Sequence, residues 1–349
     1  MEKDILYMNR ALELALSGRG LVSPNPMVGC VIVHEDKIIG EGYHKRFGEP
    51  HAEVNAINAV ADKELLKEAT LYVNLEPCSH FGKTPPCADF IIRHQLKKVV
   101  VANLDTNPLV AGKGIQKLRN AGIEVQVGVQ EKEGKNLNKR FFTFVQRMRP
   151  FIVLKWAETA DGFVAHENYD SKWISNSLSR KLVHKWRSEE DAVMIGTNTA
   201  FYDNPILNVR DWVGRNPVRV VIDKDLRLPI TLHLFDHSQP TICYNTLKDN
   251  VTPNLEYIKI KDGKSESYRF LPQVIENLHA KRFQSVMVEG GSGIINSLLA
   301  DDLWDEIRVF RSAICFGKGI KAPQIRGVLF DKEHLQGDDL LIYRREDSL

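Results

Sequence analysis

The stretch TLYVNLEPCSHFGKTPPC, residues 70–87, predicts the fold of the first half of this chain. Its first part, Thr70–Leu75, is rich in apolar and β-branched residues and is typical of a buried strand. Cys78 follows the end of that strand, and Cys87 follows two prolines at the start of a predicted helix, Ala88–Gln95. A strand that passes directly into a helix in this way indicates a layered α/β sheet.

The residues on either side of this stretch continue the alternation of strands and helices. Before it, the sequence predicts a helix containing Ile5, Met8, Leu12 and Ala15, a hairpin of Val28–His34 and Ile38–His44 with a turn at Glu35–Lys37, and a helix over His51–Asp62. After it, the sequence predicts strands over Lys98–Ala102 and Ile123–Val127, a helix over Gly114–Ala121 and one helical stretch over Glu131–Arg147.

Arg149-Pro150 interrupts the helical pattern, because a residue before proline disfavours the helical conformation. We therefore expect two domains, 1–147 and 148–349. The second repeats the α/β pattern, with strands predicted at Phe151–Lys155, Ala192–Ile195, Val218–Ile222, Thr241–Cys243, Tyr257–Ile260, Ser285–Glu289 and Glu306–Phe310, and a helix at Ile294–Ala300.

Composition restricts the class of protein. The 349 residues carry a formal net charge of +2, which does not favour nucleic-acid binding, and no apolar run approaches the ~18 residues of a membrane span. The first residues are charged and do not resemble a signal peptide. Five cysteines in so long a chain predict free thiols in a reducing cytoplasm rather than a disulfide framework. An exposed sheet edge would permit a homo-oligomer.

One histidine and two cysteines, His51, Cys78 and Cys87, form a candidate zinc site. Three protein ligands leave the fourth position open for water, as in catalytic rather than structural zinc sites. Glu53, two residues after His51, would transfer protons. The generic zinc-deaminase signature places two residues between its cysteines, whereas eight separate Cys78 from Cys87.

The motifs around this site resemble the family of bifunctional riboflavin biosynthesis proteins, which join a pyrimidine deaminase to a reductase. The matching runs are SPNPMVG (23–29), GYH (42–44), PHAEVNA (50–56) and PCSHFGKTPPC (77–87). The resemblance implies a cytidine-deaminase-like α/β/α domain that converts 2,5-diamino-6-ribosylamino-4(3H)-pyrimidinone 5′-phosphate to 5-amino-6-(5-phosphoribosylamino)uracil. It implies that Asn25 binds the base, that His44, His80 and Lys83 hold the ribose phosphate, and that Asp105 and Asn107 line the same pocket.

In the second half, Gly290-Gly291-Ser292-Gly293 joins a predicted strand to a helix. Such glycines let a backbone approach a phosphate, although a tight turn explains them equally well. Further runs, including VLKWA (153–157), SKWIS (171–175), HKWR (184–187), AVMIG (192–196) and DNPIL (203–207), resemble the reductase of the same family. That resemblance implies a dihydrofolate-reductase-like α/β domain that uses NADPH to open the ribose to a ribityl chain.

The resemblance also assigns residues in this domain. Those implied to contact NADPH are Ala157, Trp173, Thr199, Asp203, Lys224, Gly291, Ser292, Gly293, Ile294, Ile295, Asn296 and Ser297. Those implied to contact substrate are Ser171, Arg187, Leu207, Arg210 and Glu289. Lys155, Asp203 and Glu289 are all candidates for the proton donor. Two departures from the family pattern are mild: Thr159-Ala160 in place of Ser-Leu, and Ser175 in place of threonine.

Two other functions remain open at this point. One is a deaminase of another nucleobase or nucleoside with an appended binding domain, which the near-neutral charge and few aromatic residues disfavour. The other is a non-catalytic, zinc-stabilised binding module. Glu53 argues against that module, because a structural zinc site needs no carboxylate there and usually has four protein ligands.

Overall fold

The computed structural model describes residues 2–80, 85–106, 111–171, 174–261 and 269–345. The chain divides into two compact units, Met1–Met148 and Arg149–Leu349. Among the helices of the described residues, none combines the length and the apolar character that a bilayer span requires. The positions predicted as sites at Lys83, Asn107 and Trp173 lie outside the described residues.

The first unit is a five-stranded sheet with helices packed on it. Its elements are α1 (Glu2–Leu16), β1 (Gly29–His34), β2 (Lys37–Tyr43), α2 (Ala52–Ala59), a 3-10 turn (Lys63–Glu68), β3 (Thr70–Leu75), α3 (Cys87–Arg93), β4 (Lys98–Asn103), α4 (Lys113–Asn120), β5 (Glu124–Val127), α5 (Glu131–Leu137) and α6 (Lys139–Gln146). The strand order is β2-β1-β3-β4-β5. β1 is antiparallel to both neighbours, and β3, β4 and β5 are parallel.

This topology places the functional segments at one edge of the sheet. Parallel strands β3 and β4 direct their carboxyl ends the same way, so the loops after Leu75 and Asn103 leave the sheet side by side. The core beneath them is apolar and fully buried, with Ile57, Leu71 and Ile91 at its centre. A metal site built on these loops therefore rests on a rigid base.

The predicted helical stretch Glu131–Arg147 is two helices instead of one. They separate at Asn138, whose side chain is 3% exposed and points into the protein. Its amide accepts a hydrogen bond from Met27 N–H at 2.8 Å and donates one to Met27 C=O at 2.9 Å. The tertiary contact therefore outweighs the local helical preference.

The second unit contains a ten-stranded sheet. Its elements are β6 (Phe151–Glu158), β7 (Phe163–Ala165), α7 (Ser177–Glu189), β8 (Ala192–Gly196), α8 (Thr197–Asp203), β9 (Val218–Ile222), a 3-10 turn (His233–Phe235), β10 (Thr241–Asn245), β11 (Asn250–Thr252), β12 (Leu255–Lys259), α9 (Phe270–Ala280), β13 (Ser285–Glu289), α10 (Ser292–Ala300), β14 (Glu306–Ser312), β15 (Ile320–Lys321), β16 (Val328–Leu335) and β17 (Asp338–Arg344). The strand order is β11-β12-β10-β9-β8-β13-β6-β14-β17-β16, and β7 pairs with β15.

The centre of this sheet is parallel and buried on both faces. Strands β9, β8, β13, β6 and β14 run parallel, and their side chains fill one apolar cluster on each face. This explains why they are continuous apolar runs in the sequence. The hairpin of β16 and β17 lies where no strand was predicted, because seven of the eight residues of β16 are exposed and show no alternation of apolar and polar residues.

Candidate active sites

The candidate metal ligands of the first unit converge on one point. One donor atom each from His51, Cys78 and Cys87 lies within 4.8 Å of the others. His51 Nδ1 is 3.7 Å from Cys78 Sγ and 3.3 Å from Cys87 Sγ. Tetrahedral zinc with Zn–S near 2.3 Å and Zn–N near 2.05 Å would place nitrogen and sulfur about 3.6 Å apart. The three residues therefore fit zinc in both chemistry and spacing.

Local structure explains how these ligands are positioned. His51 is the N-cap residue of α2 and Cys87 is the first residue of α3, so both lie at helix N-termini, which favour negative charge. Cys87 N–H donates to Cys78 Sγ at 3.3 Å. The hydrogen bond between the two cysteines lowers the pKa of Cys78 and raises that of Cys87.

Glu53 lies beside this cluster on the first turn of α2. Its side chain is 3% exposed, and its Oε2 has no hydrogen-bond partner within the described residues. Burial raises the pKa of this carboxyl. An unpartnered buried carboxylate oxygen is costly, and a water or substrate group at the metal would satisfy it.

His44 and Asn25 form the wall next to the cluster. The His44 ring packs edge-on against His51, with ring centroids 5.2 Å apart. His44 Nδ1 is 3.2 Å from Pro50 C=O, and its Nε2 is 3.1 Å from Asn25 Nδ2. These partners define a neutral imidazole that donates from Nδ1 and accepts at Nε2, and burial lowers the His44 pKa accordingly. A neutral His44 is suited to shaping the pocket rather than to holding a phosphate.

Of the remaining predicted pocket residues of the first unit, His80 and Asp105 are among the described residues, and both lie on loops. His80 is exposed on the loop after Cys78. Asp105 is half-buried after β4, and its N–H donates to Glu76 Oε2 at 3.2 Å. Lys83 and Asn107 lie outside the described residues.

Two buried asparagines, neither of them predicted from the sequence, hold the segment that carries Asn25. Asn74 Nδ2 donates to Met27 C=O at 3.0 Å, and Asn138 bonds both the N–H and the C=O of Met27. Asn74 also accepts from Gly29 N–H at 2.8 Å. A polar residue inside the apolar run Thr70–Leu75 was the one signal in the sequence that pointed to such a contact.

The second unit contains a cavity of about 1220 Å³. Most of the residues that the resemblance assigns in this domain line the cavity. Those of the cofactor set are Ala157, Thr199, Asp203, Lys224, Gly291, Ser292, Gly293, Ile294 and Ser297. Those of the substrate set are Ser171, Arg187, Leu207, Arg210 and Glu289. Two implied cofactor residues lie elsewhere. Ile295 is fully buried in the apolar core, and Asn296 is exposed on α10 and does not line the cavity.

Three charged side chains form a buried group in the cavity wall. Arg187 Nε and Nη2 donate to the two oxygens of Glu289 at 2.6 and 2.9 Å, and Arg187 Nη1 donates to Asn208 C=O at 3.1 Å. Lys155 Nζ lies 3.9 Å from Glu289 Oε2. Burial lowers the pKa of Lys155. Arg187 is therefore occupied by protein partners, whereas Lys155 is the cation of this group with the longer and weaker pairing.

The turn between β13 and α10 has the geometry of a phosphate-binding turn. Gly290 has φ +146°, a conformation that residues with a Cβ rarely adopt, and a Cβ there would lie 2.9 Å from Thr199 Oγ1. Gly291 N–H donates to that same hydroxyl at 2.9 Å. The turn thus positions the N-terminus of α10 at the cavity, where backbone N–H groups favour an anion. NADPH, with its phosphates, fits such a site.

Two family models match separate parts of the chain. Residues 1–103 match the cytidine and deoxycytidylate deaminase zinc-binding region, and residues 150–340 match the RibD C-terminal domain. The riboflavin biosynthesis protein RibD of Aquifex aeolicus is 42% identical over 98% of both chains, and that of Escherichia coli K12 is 36% identical over 88% of this chain and 87% of its own.

Solved structures resemble the whole chain as well. A crystal structure of a diaminohydroxyphosphoribosylaminopyrimidine deaminase/5-amino-6-(5-phosphoribosylamino)uracil reductase from Thermotoga maritima is 38% identical, covers 99% of both chains and has a TM-score of 0.88. Acinetobacter baumannii RibD is 35% identical over 98% of this chain and 99% of its own, also with a TM-score of 0.88.

Fold, site and similarity define a class: a two-domain α/β enzyme that joins a zinc-dependent, cytidine-deaminase-like domain to an NADPH-dependent reductase. The predicted fold class, with a dihydrofolate-reductase-like second domain, is confirmed. The chain belongs to the RibD family of bifunctional riboflavin biosynthesis proteins.

Proposed function

We propose that residues 1–147 deaminate 2,5-diamino-6-ribosylamino-4(3H)-pyrimidinone 5′-phosphate to 5-amino-6-(5-phosphoribosylamino)uracil, and that residues 148–349 then reduce the ribosyl group to a ribityl chain. The observation that carries this proposal is the convergence of His51, Cys78 and Cys87 beside the buried, unpartnered Oε2 of Glu53. The match to the Thermotoga maritima deaminase/reductase over nearly its full length supports the choice of substrate.

In the deaminase, His51, Cys78 and Cys87 would hold zinc, which when bound makes water a nucleophile at neutral pH. Glu53 Oε2 is placed to accept the proton of the attacking water, because no protein group competes for it within the described residues. The same carboxyl passes that proton to the ring nitrogen. It then takes the proton of the added hydroxyl group and delivers it to the amino group, which leaves as ammonia. Glu53 therefore acts as a shuttle and not as a metal ligand.

Asn25 is the residue we assign to recognition of the pyrimidine. Its Nδ2 is engaged by His44 Nε2 at 3.1 Å, so its amide orientation is set, and its Oδ1 is directed away from that contact as an acceptor. The buried bonds to Met27 from Asn74 and Asn138 hold the backbone two residues away. His80, Lys83, Asp105 and Asn107 remain proposed pocket residues from the family resemblance.

In the reductase, NADPH supplies the hydride that opens the ribose at C1. We assign the phosphates of the cofactor to the N-terminus of α10, which Thr199 Oγ1 holds through Gly291 N–H. Lys155 is our choice for the group that protonates the ring oxygen, since it lines the cavity, is buried and lies 3.9 Å from its nearest anionic partner. Glu289 and Arg187 position it.

Product masses provide the test. The protein is incubated with the diaminopyrimidine phosphate, with and without NADPH, and the products are followed by mass spectrometry. We expect a rise of one mass unit without NADPH, and a further rise of two units only when NADPH is present. Turnover of cytidine in place of the phosphorylated pyrimidine would instead support a nucleoside deaminase with an appended domain.

A second experiment separates a catalytic zinc from a structural one. The first unit has its own apolar core on both sides of the sheet, so chelation is expected to abolish deamination while leaving circular dichroism and reductase rate unchanged. Unfolding of the first unit on chelation would show that the zinc is structural.

We propose a reducing, cytoplasmic location for the enzyme, with a small phosphoribosyl pyrimidine as its ligand rather than nucleic acid or a membrane. All five cysteines are free, which supports that compartment. A homo-oligomer that uses an exposed sheet edge such as β16 remains a prediction, which sedimentation velocity would check.

A further inference from the structure

Glu76 is a buried carboxylate whose hydrogen bonds neither the zinc chemistry nor the sequence motifs require. The side chain directly follows β3 and is 4% exposed. Its Oε1 accepts from Gly114 N–H at 2.9 Å and from Ile115 N–H at 3.3 Å. Its Oε2 accepts from Gly112 N–H at 2.9 Å and from Asp105 N–H at 3.2 Å. One carboxylate thus receives four backbone hydrogen bonds.

These partners come from two segments that lie 29 to 39 residues after Glu76 in the sequence. Asp105 belongs to the loop after β4, and Gly112, Gly114 and Ile115 form the start of α4. No arginine or lysine of the described residues forms an ion pair with Glu76, so the four N–H dipoles take the place of a cation. Charge-assisted bonds of this kind are stronger than neutral ones, and they leave the carboxylate no acceptor capacity to spare.

The same residue is connected directly to the metal site. Pro77 and Cys78 follow it, and Cys78 C=O accepts from Ala88 N–H at 3.1 Å, which joins the segment to α3. The same segment also packs closely against the start of α4, because a Cβ on Gly114 would lie 2.0 Å from Pro77 C=O. The first turn of α4 is therefore in contact with the segment that carries a metal ligand.

We propose that Glu76 is a positioning residue of the deaminase site. It holds Asp105 and the start of α4 against the Cys78 segment, and so sets the distance between the metal ligands and this side of the substrate pocket. This inference rests on the proposed function, because it takes the Asp105 loop as part of the substrate pocket. Glu76 acts on substrate only through these backbone contacts.

The sharpest variant is Glu76→Gln, which keeps size and shape. A glutamine amide would turn two N–H donors of its own toward two backbone N–H groups, so at least one pair of hydrogen bonds is lost. If the Asp105 and Gly112 bonds are lost, the loop moves away from the metal. We expect KM for the diaminopyrimidine phosphate to rise about tenfold or more, as the loss of two charge-assisted bonds implies, while kcat changes little. One zinc per chain is retained.

Controls separate positioning from general damage. Glu76→Asp keeps the charge with a shorter reach and should recover part of the loss in KM. Glu124→Gln removes an exposed carboxylate that pairs with Lys98 and should leave every parameter at the wild-type value. The reductase rate of the same chain reports whether the protein is intact. An unchanged KM in Glu76→Gln overturns the proposal, and so does a fall in kcat that matches a loss of zinc.

Hydrogen exchange provides a readout that does not depend on turnover. Amides of Asp105, Gly112, Gly114 and Ile115 should exchange faster in Glu76→Gln, whereas those of β1 should not change. Wild-type protein that fails to deaminate the phosphorylated pyrimidine would overturn the proposed function alone. Unchanged exchange at these four amides would overturn the role of Glu76 alone.

Discussion

Arg187 and Glu289 form a two-pronged ion pair in the wall of the reductase cavity, with N–O distances of 2.6 and 2.9 Å. Their side chains are 11% and 10% exposed. Family resemblance implies that Arg187 contacts substrate, yet its guanidinium already bonds Glu289 twice and Asn208 C=O once. We infer that Arg187 acts on the substrate chiefly by orienting Glu289.

Removing one partner of this pair should be costly. Arg187→Met leaves the Glu289 carboxylate with Lys155 at 3.9 Å as its nearest cation, and breaking a buried pair in this way costs about 3–5 kcal/mol. Urea denaturation of the variant measures this loss in the free energy of unfolding. The double variant Arg187→Met, Glu289→Met should be more stable than the single one, because no charge is left unpaired. Loss of less than about 1 kcal/mol in the single variant would contradict a structural role for the pair.

The same pair predicts a pH dependence of stability. Burial alone would raise the pKa of Glu289, but the charges of Arg187, Lys155 and His184 hold it at about 2. In the unfolded chain a glutamate titrates near 4.3. Because the folded pKa is the lower one, the stabilisation is fully present above about pH 4.5 and is lost as the pH falls toward about 2.

This pH dependence can be measured as the difference in unfolding free energy between the wild-type protein and a variant that lacks the carboxylate. We expect the gap in unfolding free energy between wild type and Glu289→Gln to narrow as the pH is lowered from 7 to 3, because Glu289 takes up a proton near pH 4.3 in the unfolded chain while the folded carboxyl stays ionised down to about pH 2. Reductase activity at neutral pH serves as a check that both proteins are folded. A gap that stays constant over this range would mean that the Glu289 carboxyl has the same pKa in the folded and the unfolded chain.

Glu53→Gln should abolish proton transfer while leaving the metal site intact. Its side chain is not one of the three clustered donors, so zinc content should remain at one per chain. Loss of a general acid–base typically lowers kcat by about 10²–10⁴-fold. Glu64→Gln, an exposed carboxylate of the same unit that pairs with Lys67, should keep full activity. Full deaminase turnover in Glu53→Gln would exclude the proton-shuttle role.

Two glycines of one turn should respond differently to alanine. Gly290→Ala forces a Cβ to within 2.9 Å of Thr199 Oγ1 at φ +146°, and such strain costs about 1–3 kcal/mol. Gly293 is helical, and a Cβ there meets nothing within 4 Å, so Gly293→Ala should leave stability unchanged or raise it by up to about 1 kcal/mol. Thermal unfolding of both variants checks this contrast.

The NADPH affinity of Gly293→Ala tests the assignment of the phosphate site. If phosphates bind at the N-terminus of α10, a methyl group there keeps them away from the backbone and raises KM for NADPH even though the protein is stable. An unchanged KM for NADPH in this variant would place the phosphates elsewhere in the cavity.

Much of the architecture was predictable because it is encoded locally. Thr70–Leu75, Val218–Ile222 and Ser285–Glu289 are strands with the bounds expected from their apolar runs. Buried parallel strands must be apolar on both faces, so the signal is continuous and strong. Strand β16, which is exposed over seven of its eight residues, lacked that signal, and the hairpin that it forms with β17 was missed.

The candidate zinc site was predictable for a chemical reason. His51, Glu53, Cys78 and Cys87 are residue types whose chemistry is specific to few tasks, and each lies at the end of a helix or strand. Sequence alone therefore determined the donor set and, with the family motifs, the class of reaction.

Only the tertiary structure decided the partners of the buried polar groups. Glu76 bonds amides up to 39 residues away, Arg187 bonds Glu289 at 102 residues, and Asn138 bonds Met27 at 111. No local pattern encodes such pairs, because a charged or amide side chain is compatible with solvent until the fold encloses it. Once it is enclosed, an unpaired polar group is too costly to leave, so the fold selects the partner.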